Sequence, residues 1–213
     1  MDIETYDRAL KTKDYYEFAD CFAEGCSRCT LAEHGSGPIL YRGNPKADIM
    51  LIGEAPGMIE ERMGRTFVGP AGELLDKIFS AIGLDTNVDL FITNCVFCRP
   101  TAPAGSGKQN YTPKKEQIAR CWPFVEKTIE LVNPKILIAC GRPALCTLMG
   151  DPKMKMGKWE GRWLVHKSTK KLFVMTHPAA VLHLAKWPED QQLAKEKIWG
   201  YMQYFRDTWK GKC

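Results

Sequence analysis

No stretch of the 213 residues reaches the roughly 18 consecutive apolar positions that a membrane-spanning helix needs. There is no internal repeat and no low-complexity tract. The first residues, Met1-Asp2-Ile3-Glu4-Thr5, are acidic and lack an apolar run, so no secretory signal is read there. The expected compartment is therefore a reducing cytoplasm, where the nine cysteines are not expected to pair as disulfides. A chain of this length buries enough surface to hold a core without such staples. Metal ligation is left as the leading explanation for some of the cysteines, and buried thiols for the rest.

Hydrophobic residues make up 45% of the chain and charged residues 26%, the balance of a globular protein of one large domain or two small ones. The net charge of +5 hides an asymmetry. Residues 1–106 carry 10 Lys+Arg against 16 Asp+Glu, and residues 107–213 carry 20 against 9. The basic half places Lys153, Lys155, Lys158, Arg162, Lys167, Lys170 and Lys171 around Trp159, Trp163 and His166. Cations interleaved with flat rings suit a phosphate backbone and unstacked bases. A solvated lysine-rich hairpin accounts for the same pattern equally well.

Four short, nearly continuous apolar runs are expected as strands covered on both faces: 48–56, 89–97, 135–141 and 171–178. Helical patterns lie between and around them. Residues 71–82 repeat Leu74, Leu75, Ile78, Phe79 and Ile82 at helical spacing before Gly83. Thr112-Pro113 predicts a helix start running to about Val132. Further helices are expected over 3–22, 143–149 and 190–210. Alternating strands and helices imply right-handed crossovers. The fold class is α/β: a three-layer αβα sandwich with a central four-stranded parallel sheet. Residues 1–213 form one domain, with an N-terminal cysteine segment and the basic hairpin attached. Thr101–Gln109 is a flexible loop by composition.

Ligands of an open parallel sheet sit beyond the carboxyl ends of its strands. Glu54, Asn94 and His177 fall at three such ends and are expected on one rim, lining a small-molecule or base pocket. Cys26-x2-Cys29 and Cys95-x2-Cys98 both have ligand-pair spacing. Cys21-x4-Cys26-x2-Cys29 also matches plant-type ferredoxin spacing. Spacing does not choose between a four-cysteine zinc site and an iron–sulfur centre.

Six motifs in order resemble the family 4 uracil-DNA glycosylases, the iron–sulfur type. They are Cys26-x2-Cys29-x-Leu31, Gly53-Glu54-Ala55-Pro56-Gly57, Thr66-Phe67-Val68-Gly69-Pro70-Ala71-Gly72, Thr93-Asn94-Cys95-Val96-Phe97-Cys98-Arg99-Pro100, Cys121-x-Pro123 and Thr176-His177-Pro178. The resemblance covers about Cys26 to Trp187. The resemblance implies a structural [4Fe–4S] cluster on Cys26, Cys29, Cys98 and Cys121, so that Cys21 and Cys95 drop out. It implies that Phe67 stacks on an extruded uracil and that Asn94 reads the O4 and N3–H edge. His177 would donate toward O2, the Gly53-Glu54-Ala55 backbone would hold the base rim, and Glu60 would stand near C5 against a thymine methyl. Val181 and Leu182 are the wedge candidates. The best-known uracil glycosylases carry a water-activating Asp where this chain has Ala55, so Glu54 is the candidate for that task. His183 replaces an arginine of relatives, with Lys186 as a substitute phosphate contact. No covalent adduct with DNA is expected.

The expected activity is monofunctional hydrolysis of the N-glycosidic bond, with His177, Glu54 and Asn94 as catalytic residues. The chain would act as a monomer on single- or double-stranded uracil-containing DNA. The alternative is a non-catalytic iron–sulfur DNA-binding or replication-accessory protein of the same fold. A zinc-ribbon nucleotide-binding protein is a third possibility.

Overall fold

The computed structural model describes residues 1–22, 25–102, 110–168, 170–209 and 211. Most of the loop expected over 101–109 lies outside the described residues, as do Lys210 and Cys213. No helix among the described residues is long and apolar enough to cross a membrane.

The four apolar runs form strands β2 (Ile49–Gly53), β3 (Leu90–Asn94), β4 (Ile136–Cys140) and β6 (Lys171–Met175). Two further strands, β1 (Arg42–Gly43) and β5 (Trp163–Val165), flank them, and the order is β1-β3-β2-β4-β6-β5. The pairs β2–β3, β2–β4 and β4–β6 are parallel, while β1 and β5 pair antiparallel at the edges. The four expected strands thus run parallel to one another, and the two edge strands, which were not expected, extend the sheet to a mixed one of six strands. Each edge strand is too short, or too polar in its surroundings, to announce itself.

Alternation along the strands divides the core in two. Met50, Ile52, Phe91, Leu137, Ala139, Leu172 and Val174 face one layer. That layer is built from α1 (Ile3–Lys11), α2 (Tyr15–Asp20), α5 (Lys115–Val132) and α6 (Arg142–Met149). Ile49, Leu51, Leu90, Ile92, Ile138, Phe173 and Met175 face the other layer, which holds α4 (Pro70–Ser80), α8 (Pro178–His183) and α9 (Pro188–Trp209). Two short helices, α3 (Met58–Met63) and α7 (Met156–Trp159), lie in the connections.

The single helix expected over 3–22 is two. Asp14 accepts hydrogen bonds from the Tyr16 and Glu17 N–H groups at 2.8 and 3.0 Å and so starts a new helix. The helix expected from Thr112 begins at Lys115, where the Gln117 side chain accepts from the Lys114 N–H at 2.8 Å. The basic, tryptophan-bearing segment belongs to the sheet edge. Trp163 stacks on Phe205 at 5.5 Å and 13°, His166 is buried, and Lys167 pairs with Glu126. Its rings serve packing, which favours the hairpin explanation over a base-stacking platform.

Candidate active site

The carboxyl ends of β2, β3 and β6 bring Gly53, Asn94 and His177 to one edge, on the face covered by α4 and α8. Gly53 and Asn94 are register partners, so their Cα–Cβ directions coincide. Only glycine fits at position 53, because the Asn94 amide and the Phe67 ring close over it. A methyl group on Gly53 would stand 2.5 Å from Asn94 Oδ1 and 2.6 Å from Phe67 Cζ. The Phe67 ring lies 5.4 Å from the His177 ring, centroid to centroid, tilted by 35°. An aromatic plate, a carboxamide and an imidazole from remote positions therefore share one slot.

Phe67 is placed by strain and by anchors. Its φ of 52° lies in the left-handed region, which costs a side-chain-bearing residue about 1–3 kcal/mol. The hydroxyl of buried Thr66 donates to the Ile92 carbonyl at 2.9 Å. Glu60 holds the other side. Its Oε1 accepts from the Val68 and Gly69 N–H groups at 3.0 and 2.7 Å, and its Oε2 from the Gly57 N–H at 3.1 Å. The carboxylate also stands close enough to the His177 ring to act on it, at the border of the same slot. Both oxygens are engaged by backbone, and the residue clamps the Phe67 loop to the turn after β2.

Asn94 is 1% exposed, and neither its Oδ1 nor its Nδ2 has a hydrogen-bond partner among the described residues. A buried amide without partners costs about 1–3 kcal/mol, so its persistence at this edge is a mark of ligand recognition. His177 caps α8: its Nδ1 accepts from the Ala179 N–H at 3.2 Å. That bond assigns the ring proton of the neutral tautomer to Nε2. Burial lowers the ring to about 4, with the nearby Glu60 opposing, so the imidazole is neutral at pH 7.

Glu54 is half-buried and does not join these three side chains. It turns toward Thr112, at the α5 side, where burial raises its carboxyl above the ordinary range and the Thr112 hydrogen bond partly offsets this. Ala55 packs near Leu31 and Cys98. Val181 is corrected as a wedge: it is 1% exposed and packed in the core between α4 and α9. Its neighbour Leu182 is half-buried and keeps an outer face.

Cys26, Cys29, Cys98 and Cys121 line one small cavity together with Leu31, Phe97 and Arg28. Burial first, then the neighbouring cysteines, pushes Cys98 up to about 12. The donor set fits an iron–sulfur cluster, whose irons take four thiolates, and the Arg28 and Arg120 guanidinium groups on the same lining suit its negative charge. Cys95 does not line this cavity: it is fully buried beside Thr147. Cys21 is held by Glu17 and Arg8. Among the described residues no three His, Cys, Asp or Glu side chains gather around a point suited to a single metal ion.

Two contributors escaped the sequence reading. Gly141, at the end of β4, has φ of 90°, and a Cβ there would stand 3.0 Å from His177 Cβ. It follows the same strand-end rule that singled out the other three. Thr112, read as a helix cap, instead holds Glu54.

The model of the uracil DNA glycosylase superfamily matches residues 40–203. Several curated relatives bear the name type-4 uracil-DNA glycosylase. The protein of Saccharolobus solfataricus is 37% identical over 164 residues, covering 74% of this chain and 73% of its own. That of Sulfurisphaera tokodaii is 36% identical over 165 residues, covering 74% and 71%. That of Pyrobaculum aerophilum is 35% identical over 165 residues, covering 75% and 80%.

Proposed function

The chain belongs to the uracil-DNA glycosylase superfamily, and on that premise we propose that it excises uracil from DNA by hydrolysing the N-glycosidic bond, leaving an abasic site. The observation that carries this reading is the Asn94 amide, without a hydrogen-bond partner among the described residues and buried beside Phe67 and a neutral His177.

An extruded uracil would lie on Phe67, a stacking contact of about 1–3 kcal/mol. The Asn94 amide would accept from N3–H and donate to O4. Cytosine reverses both, so it would leave two buried groups opposed. Cleavage of the C1′–N1 bond places negative charge on the base. His177, with its proton on Nε2, would donate to O2 as that charge grows, in the manner of an oxyanion hole. Glu54, with its carboxyl raised by burial, is the group we assign to orienting water, and the Gly53-Glu54-Ala55 backbone to holding the base rim. Glu60, which holds the Phe67 loop, is the group we assign to the C5 side of the base, where a thymine methyl would clash. Leu182 is the side chain we assign to filling the gap left by the flipped nucleotide. Cys26, Cys29, Cys98 and Cys121 would hold a [4Fe–4S] cluster, which when bound supplies a structural tie. We expect a cytoplasmic monomer acting on single- or double-stranded DNA.

The test is alkali cleavage of a uracil-containing oligonucleotide after incubation with the iron-loaded protein. Cleavage at the uracil, and none at thymine or cytosine, is expected. Binding without cleavage would support the accessory protein instead.

Two further results are expected. Gly53→Ala puts a methyl group into the Phe67 and Asn94 side chains, so single-turnover excision should fall at least about tenfold, the scale of displaced reacting groups, with the fold retained by circular dichroism. The second concerns pH. His177 keeps its neutral form down to about 4, against an ordinary value of 6.5. No loss of turnover should therefore titrate near 6.5 on its account. The unfolded ring takes up a proton below 6.5 and the folded one only near 4, so its contribution to stability is complete above 6.5 and is lost as pH falls between those values. Denaturant midpoints for wild type and His177→Gln across pH 4 to 8 check the sign: the wild type should lose more stability than the variant on acidification.

A further inference from the structure

Thr176 is the residue through which β6 hands the chain to His177, and it is gripped from two sides. Its N–H donates to the Tyr201 Oη at 3.1 Å. Its hydroxyl donates to one carboxylate oxygen of Glu160, whose other oxygen pairs with Lys197. Tyr201 and Lys197 come from α9, and Glu160 from the turn after α7. Glu160 is 11% exposed as a side chain and Tyr201 8% exposed as a residue. The last sheet-edge bond before this point is Gly141 N–H to the Met175 carbonyl at 2.9 Å. Beyond it the Thr176 N–H takes the phenol. The Tyr201 ring is itself seated against Phe173, 5.9 Å between centroids, and against Gly161, where a Cβ would stand 2.7 Å from Tyr201 Cβ. A buried phenol, a largely shielded carboxylate and a close glycine contact are more than a strand end requires, since a solvated turn would satisfy one N–H and one hydroxyl without them.

We propose that Glu160 and Tyr201 are positioning residues for excision: they lock Thr176 so that the His177 ring stays over the edge of Phe67 with Nδ1 on the Ala179 N–H. This rests on the glycosylase reading, and neither residue touches the slot. The lever is short, because one peptide separates Thr176 from His177, so a tilt at Thr176 moves the imidazole directly. Displacement of a donor by about 1 Å can cost about 100-fold in rate, whereas base affinity set by Phe67 and Asn94 is not altered.

The experiment compares wild type with Tyr201→Phe, Thr176→Val, Glu160→Leu and Glu160→Gln, all iron-loaded. Tyr201→Phe keeps the ring and removes only the acceptor. Expected are single-turnover rates reduced about 10- to 100-fold for Tyr201→Phe and Glu160→Leu, with KM within about twofold. Glu160→Gln, which still accepts from Thr176, should recover most of the rate lost in Glu160→Leu. Nitrogen-15 spectra of the His177 imidazole should show one tautomer in wild type and exchange averaging in Tyr201→Phe. Unchanged rates with an unchanged His177 signal would overturn the proposal. So would losses in which KM and rate move together and follow stability alone. If wild type proves inactive on uracil-containing DNA, the glycosylase reading fails, and the His177 spectra still decide whether Glu160 and Tyr201 hold the ring.

Discussion

Asn94→Ala is expected to cut single-turnover uracil release by about 10²–10³-fold while leaving thermal stability unchanged or raised. Opposite signs at one position follow from the free protein. Both amide atoms are buried and without partners among the described residues, which costs about 1–3 kcal/mol that the alanine variant does not carry. The rate falls for a separate reason. On the proposed reading the same amide pairs with both N3–H and O4, and it would bond best as charge builds on the base. A residue there for packing would behave in reverse, with stability lost and rate retained. Differential scanning calorimetry beside quenched-flow excision separates the two. A cooler transition with normal turnover would remove Asn94 from the site.

Trading stability for recognition at Asn94 explains why the slot was readable from the chain at all. A polar residue closing an apolar run that is otherwise buried on both faces contradicts its local pattern, and such contradictions concentrate at functional sites. His177 after Met175 carries the same signal. Val181 shows where it stops, and so does the clamp that Glu60 makes. A glutamate in the first turn of a short helix reads the same with or without three backbone N–H groups on its carboxylate. α8 has six residues, so its buried side has no repeating period to reveal it, and Val181 and Leu182 differ only by which way a single turn points. The edge strands were illegible for another reason. Arg42–Gly43 has no strand character of its own and exists because Ile92 and Phe91 offer it an open ladder. The Lys-rich setting of β5 concealed that Trp163 lies on Phe205. The central strands needed no such context, since burial on both faces demands the continuous apolar runs that the sequence carries.

Cys121→Ser should have the largest effect on stability. Cys121 stands on α5, one turn before Phe124, which touches Tyr6, Phe18 and Phe22 at 5.4, 6.3 and 4.9 Å between centroids. Cys26 and Cys29 lie in the segment that follows those residues, and Cys98 in the turn after β3. A shared inorganic centre would therefore bind α5, the N-terminal layer and the rim of the sheet at one point. From Cys98 the connection runs on. Arg99 pairs with Glu61 at 2.7 Å with both side chains 11% exposed. Glu61 neighbours Glu60, which holds the Phe67 loop in its left-handed conformation. Removing one thiolate should lower bound iron and visible absorbance, reduce stability by about 4 kcal/mol or more, as loss of a structural metal does, and slow excision through the loosened Phe67 loop. Cys95→Ala provides the contrast. It deletes a fully buried thiol outside the cavity, so iron content should be unchanged and the cost that of a small core truncation, about 1 kcal/mol. Equal iron retention in the two variants would show that Cys121 is an ordinary core thiol. The path from the cysteine cavity to Phe67 would then carry no coupling, and the loop would depend on Glu60 and Thr66 alone.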